Sequence, residues 1–142
     1  MERKPILDIK VVFNGEIQRM QGTTAEVVMI PFTGEVKGEI FNGIIEPCGV
    51  DTQIRNAVMI RHMSARYMLT GVDKEGEKCH IYVENNGYFD EHNGPMNMPF
   101  HTIPTFYTDS KALAPYLHQN KFEGEGVGKE DGLHILMYEL QE

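Results

Sequence analysis

The stretch Ser64-Ala65-Arg66-Tyr67-Met68-Leu69-Thr70 puts Ala65, Tyr67 and Leu69 on one face and Ser64, Arg66, Met68 and Thr70 on the other. An alternation with period two is the mark of a β-strand with one buried side. The segment Cys79-His80-Ile81-Tyr82-Val83-Glu84 repeats the pattern, with Cys79, Ile81 and Val83 apolar and His80, Tyr82 and Glu84 opposite them. Gly71 to Gly76 between them reads as a hairpin loop, so Tyr67-Met68-Leu69 is expected to pair antiparallel with Ile81-Tyr82-Val83.

The same period continues in both directions and predicts further strands over 7–13, 26–32, 38–45, 56–61, 100–107 and 133–140. Asn14-Gly15 and Asn86-Gly87 fall at strand ends and read as tight turns, as Asn93-Gly94 does by its sequence. Asn42-Gly43 instead splits the apolar run Ile40-Phe41 and Ile44-Ile45, which fits a bulge or a bend at a barrel corner. Gly124-x-Gly126-x-Gly128 lacks the strand before and the helix after that a dinucleotide-binding turn requires, and reads as a hairpin loop. Thr108-Asp109-Ser110 offers capping oxygens to a helical segment carrying Leu113, Tyr116 and Leu117; Pro115 makes it either two short turns or a helix starting near Ala114 with Pro115 at its first position, and either version suits a lid or plug on a barrel mouth. The expected fold is all-β, a single antiparallel closed or nearly closed β-barrel of about eight strands plus one short helix, spanning residues 1–142.

Composition narrows the function. The chain carries 13 basic and 21 acidic residues, net −8, a balance that repels phosphate backbones and anionic membranes, so neither nucleic acid nor a membrane is an expected partner. The apolar run Val27 to Phe32 is far shorter than the roughly 20 residues of a spanning helix. Met1-Glu2-Arg3-Lys4-Pro5 followed by alternating Ile6 to Lys10 has no secretory pattern, which predicts a cytoplasmic location. Cys48 and Cys79 form no Cys-x-x-Cys pair and are expected as reduced thiols, Cys48 as a small half-buried residue. The six histidines, His62, His80, His92, His101, His118 and His134, lack metal-ligand spacing, so no metal and no cofactor are predicted.

Three features carry candidate chemistry. On the polar side of the paired strands, His62, Arg66, His80 and Glu84 converge. Inside a barrel, Arg66 would hold a ligand carboxylate while Glu84 or a histidine moved a proton; on the outside they would form a solvated wall. Asp51 follows the turn-like Pro47-Cys48-Gly49-Val50 and either caps it or faces the barrel mouth as a base. Met59, Met63, Met68, Met96, Met98 and Met137 serve as core filler or as an adaptable lining.

The ordered series Gly34, Gly38, Gly43, Pro47, Gly49 and Asp51, then Ala65-Arg66-Tyr67-Met68-Leu69, then Ile81-Tyr82-Val83 with Asn85 and Gly87, resembles the family known as domain of unknown function 3237 or uncharacterised protein family 0311. The likeness continues through Thr102-x-Pro104-x-Phe106, Leu117, Phe122, Gly124 and Gly126. It implies a barrel of the calycin-like or allene-oxide-cyclase-like kind with a central cavity and no settled activity, and it places Asp51 and Arg66 in the family's recurrent pattern. Cys48, Thr52, His101 and Tyr116 depart from that pattern, where a glycine, an aromatic residue, an arginine and a tryptophan are usual.

The expectation is therefore a barrel that binds a small organic molecule, with acid–base chemistry on Asp51 and Glu84 and with Arg66, Tyr82, His62 and His101 contacting the ligand. The alternative is a non-catalytic structural or interaction barrel whose interior is filled by side chains. A homodimer is compatible with either.

Overall fold

A computed structural model of the protein describes residues 3–92, 94 and 97–141. Its strands are β1 (Leu7–Phe13), β2 (Gln18–Gln21), β3 (Ala25–Lys37), β4 (Phe41–Asn56), β5 (Ile60–Asp73), β6 (Lys78–Asp90), β7 (Phe100–Thr108), β8 (Phe122–Lys129) and β9 (Gly132–Glu139). The helix α1 (Ala114–Leu117) lies between β7 and β8. Neighbouring strands run in the order β1-β9-β8-β7-β6-β5-β4-β3, and β3 pairs back onto β1, closing an eight-stranded antiparallel barrel. The short β2 lies outside this cylinder, paired to the first residues of β3.

Tyr67, Met68 and Leu69 face Val83, Tyr82 and Ile81 in the predicted antiparallel register, and the residues that point inward are the apolar set of each strand. Strand β4 is longer than the sequence predicts. The Pro47-Cys48-Gly49 segment is not a turn between strands but a bulge inside one, where β4 carries two more residues than β3 or β5 beside it. Cys48 sits there with a positive φ of 88° and an exposed side chain, not half-buried. The real reversal is at Ala57-Val58-Met59, inside the segment expected as a strand over 56–61.

Asn42-Gly43 introduces no slip of register. Gly43 faces Gly71 on β5, and a Cβ there would stand 2.1 Å from the Thr70 carbonyl oxygen, so the two backbones approach more closely than side chains permit. Asn86-Gly87 is likewise within β6 and not at its end. Asn93 lies outside the described residues.

The glycine-rich segment read as a loop is strand β8. Gly124 and Gly126 face the interior, and a Cβ on Gly126 would fall 2.1 Å from a ring carbon of Phe100. The missing side chains leave room for a neighbour's aromatic ring, which is why the strand shows no alternation of apolar bulk. Helix α1 begins at Ala114 with Pro115 in its first turn, and Ser110 Oγ accepts from the Leu113 N–H while donating to Asp73 Oδ2 (2.7 Å). Leu113 and Leu117 pack with Phe41, Phe106, Phe122 and Met137, all fully buried, and fill one end of the barrel.

Candidate functional site

The other end is hollow. A cavity of about 210 Å³ is walled by Val11, Phe13, Ile30, Phe32, Leu133 and Ile135, with Met63, Met98 and Phe100 completing its apolar surface. Four polar side chains enter it: Asp51, Gln53, Tyr67 and Asn85.

Their placement follows from register. Asp51 on β4 faces Ala65 on β5, and Ala65 faces Asn85 on β6, so the three form one rung. Strands lie about 4.8 Å apart, which sets Asp51 and Asn85 roughly 10 Å from each other across the small Ala65. Tyr67 is two residues further along the middle strand, on the same face and diagonal to both. Gly49 makes room for it, since a Cβ there would stand 3.2 Å from Tyr67 Cβ. The Tyr67 ring is fixed edge-on to Phe32 at 5.1 Å between centroids.

The electrostatics are those of a carboxyl held in an apolar hollow. Burial pushes the Asp51 carboxyl above the usual range, partly opposed by the hydrogen bond from Gln53 and by the charge of Arg61. Burial, and then the neighbouring Asp51, also raise the Tyr67 phenol, which keeps its proton. Asp51 Oδ2 accepts from Gln53 Nε2 (2.8 Å), whereas buried Asp51 Oδ1 has no partner among the described residues. Asn85, only 3% exposed, likewise has a buried and unpartnered Oδ1. Buried polar atoms without partners are uncommon, each costing about 1–3 kcal/mol, and two of them belong to residues that line one cavity.

A charged network supports the site from the barrel end. Arg61 Nη1 donates to Gln53 Oε1 (3.3 Å), Arg61 Nε to Glu91 (3.0 Å) and Arg61 Nη2 to Glu26 (3.3 Å), so Gln53 bridges Asp51 to a largely buried ion cluster. The hydrogen bond from Gln21 holds Glu26 below the ordinary carboxylate range, against its burial and with help from Arg61 and Arg55.

Of the six residues expected from sequence, the structure brings only Asp51 into the cavity, as a lining residue and not as a turn cap. The other five lie on the outer wall, because Ala65, Tyr67 and Leu69 take the interior side of β5 and Ile81 and Val83 that of β6. There Arg66 pairs with Glu84 (3.6 Å) and is largely exposed, and Tyr82 donates to Glu84 (3.1 Å). His62 stacks on Tyr88 at 4.5 Å and contacts Asn86 Oδ1, while His101 is exposed on β7. His80 is also outside, bonded through Nδ1 to Asp109 (2.9 Å). Arg66 thus cannot anchor a ligand in the cavity, and Glu84 cannot move a proton there.

Sequence reading missed Tyr67, Asn85, Gln53 and Arg61 as site residues. Asn85 was the one available signal: it extends the buried face Cys79-Ile81-Val83 with an amide where a hydrocarbon is expected. Met63 and Met98 line the hollow, Met137 belongs to the packed end, Met59 and Met68 are exposed, and Met96 lies outside the described residues. No helix among the described residues is long and apolar enough to cross a membrane.

The chain is thus a small closed antiparallel barrel, packed at one end and hollow at the other, with Asp51 the one acid among the described residues that line the hollow. The sequence pattern of the family described as "Protein of unknown function (DUF3237)" matches residues 1–140, and the chain belongs to that family. A UPF0311 protein of Clostridium acetobutylicum is 36% identical over 95 residues, a match spanning 58% of this chain and 58% of that relative's length. A crystal structure of a protein of unknown function from Clostridium acetobutylicum superposes with a TM-score of 0.76 at 25% identity, covering 99% of this chain and all of that one. A conserved protein of unknown function from Rhodopseudomonas palustris gives 0.73 at 25% identity, covering 99% and 97% of the two chains. A β-barrel-like protein from Acinetobacter baumannii gives 0.75 at 20%, with 99% and 96% covered, a likeness of fold.

Proposed function

We propose that the hollow end binds a small, electrically neutral organic molecule and that Asp51 exchanges a proton with it. The observation that carries this reading is the buried, unpartnered Oδ1 of Asp51, a residue lining a largely apolar cavity. A cavity of about 150 Å³ lined by hydrocarbon accommodates benzene, so this one suits a single ring with a short substituent. No Lys, Arg or His lines it among the described residues, and Asp51 repels an anion, which disfavours carboxylates. An ammonium group would lose its hydration against one carboxyl that already accepts from Gln53.

The test is a thermal-shift comparison of three compounds with one ring: cyclohexanol, cyclohexanecarboxylate and cyclohexylamine. A ligand that binds only the folded state raises the melting temperature. Cyclohexanol is expected to raise it, the carboxylate to leave it unchanged, and Ala65→Leu, which fills the floor between Asp51 and Asn85, to abolish the effect. Absence of any shift with cyclohexanol, or a larger one with the amine or the acid, overturns the reading.

A further inference from the structure

The hydrogen-bonding groups of the residues that line the cavity specify more than size. Asn85 Oδ1 is a buried acceptor without a donor, Asp51 Oδ1 is a second, and the Tyr67 hydroxyl is a donor on the strand between them. A complementary neutral ligand needs a hydroxyl for Asn85, a carbonyl oxygen for Tyr67 and, between these, a hydrogen that a carboxylate removes. Those three requirements meet on adjacent carbons of one functional group.

We propose that the protein isomerises a small cyclic α-hydroxyketone through its enediolate, with Asp51 moving the carbon-bound proton, Tyr67 holding the carbonyl oxygen and Asn85 holding the hydroxyl. This rests on the reading that Asp51 exchanges a proton with a neutral ligand in the hollow. The Asp51 carboxylate takes the hydrogen from the carbinol carbon. The C–H electron pair becomes the carbon–carbon double bond, and the carbonyl π pair moves onto oxygen, where the Tyr67 O–H stabilises it. The hydroxyl proton then crosses to that oxygen, and Asp51, now a carboxylic acid, returns its proton to the former carbonyl carbon. The carbonyl and hydroxyl groups have exchanged places with no co-reactant. If Asp51 returns the proton to the original carbon instead, the result is exchange with solvent.

The geometry favours this reaction over chemistry that releases a group. The Ala65 rung gives a flat floor one ring wide, with the base on one side, the amide on the other and the phenol diagonal to both. The largely apolar walls leave few groups to compete for the enediolate oxygen, which strengthens the Tyr67 hydrogen bond to it, while the partly open mouth lets Asp51 exchange its proton with solvent.

Incubating the protein with 2-hydroxycyclohexanone in deuterium oxide and following the carbinol proton by NMR tests this. Wild-type protein is expected to exchange that proton roughly 100-fold or more faster than Asp51→Asn. Tyr67→Phe is expected to slow exchange by a similar factor, roughly 100-fold. Binding of cyclohexanol by each variant shows that its cavity is intact; if Asp51→Asn does not fold, Tyr67→Phe carries the comparison. If 2-hydroxycyclohexanone raises the melting temperature but exchanges no faster than in the variants, the isomerase proposal falls. If cyclohexanol binds and 2-hydroxycyclohexanone does not, the ligand class is wrong. If neither binds, the proposed pocket function fails with it.

Discussion

Asp51 is held where its charge is disfavoured, and this has a consequence that needs no ligand to observe. Its folded-state pKa lies above the unfolded value, because burial outweighs the Gln53 hydrogen bond and the Arg61 charge. A group raised in this way stabilises the fold fully below its unfolded pKa, and that contribution is lost as pH rises through the folded value. Asp51→Asn removes the titration while preserving shape. Its melting temperature is expected to exceed that of the wild type by a few degrees at about pH 7 and to match it at about pH 3.5, below the ordinary aspartate pKa of about 3.9. Thermal unfolding followed by circular dichroism at the two pH values checks this, and a gain that is equal at both removes the electrostatic explanation. Stabilisation by removing a working group is the usual signature of a site kept for function.

The sequence could not place this aspartate. Local residues left a turn cap and a mouth-facing base as alternatives, because a bulge within a continuous strand leaves the same Pro-x-Gly signature as a reversal between strands. Arg66 failed for a different reason. Period two shows that a strand has two faces; the inward one is decided by bulk, and Tyr67 and Leu69 outweigh Arg66 and Thr70 in a closed cylinder.

Strand β8 shows how an element can hide. Its inner face is largely glycine, so neither a hydrophobic alternation nor a moment marks it, and the aromatic mass that occupies its share of the interior belongs to Phe100 on β7. Gly126→Ala is expected to cost about 1–3 kcal/mol by forcing that ring aside. Made in a Phe100→Leu background, the same change is expected to cost clearly less, a coupling that denaturant unfolding of the four proteins would measure. Equal cost in both backgrounds would mean that the glycine serves backbone conformation instead. Helix α1 was easier to read because its signals are local: capping oxygens, a proline in the first turn and a leucine pair four residues apart.

The barrel as a whole is divided. Packed aromatic and aliphatic side chains close the end under α1, whereas the far end relies on Arg61 held between Glu26 and Glu91 around a hollow. Removing one member of a buried ion cluster leaves the others unpaired, which costs far more than losing an exposed pair. Arg61→Met is therefore expected to lower the melting temperature by several degrees, and Lys4→Met, which breaks the exposed pair with Glu39, to leave it nearly unchanged. Similar melting temperatures for the two variants would show that the cluster does not hold that end together. The pairing of β5 with β6 was legible from alternation alone, and the barrel architecture from alternation together with the family resemblance. The division into solid and hollow ends was not, because it depends on which distant residues share a level of the cylinder.

The two residues added to β4 at Glu46-Pro47-Cys48-Gly49 form an even number, and the strand resumes with Ile45, Gly49 and Asp51 all directed inward. Had the surplus been one or three, Asp51 would have been delivered to solvent and Thr52 to the lumen. Gains and losses of length at this point are therefore constrained to come in pairs: a lineage can lengthen or shorten the kink only by steps that keep odd positions on the inner wall, and any descendant with an odd change must supply its acid from another position.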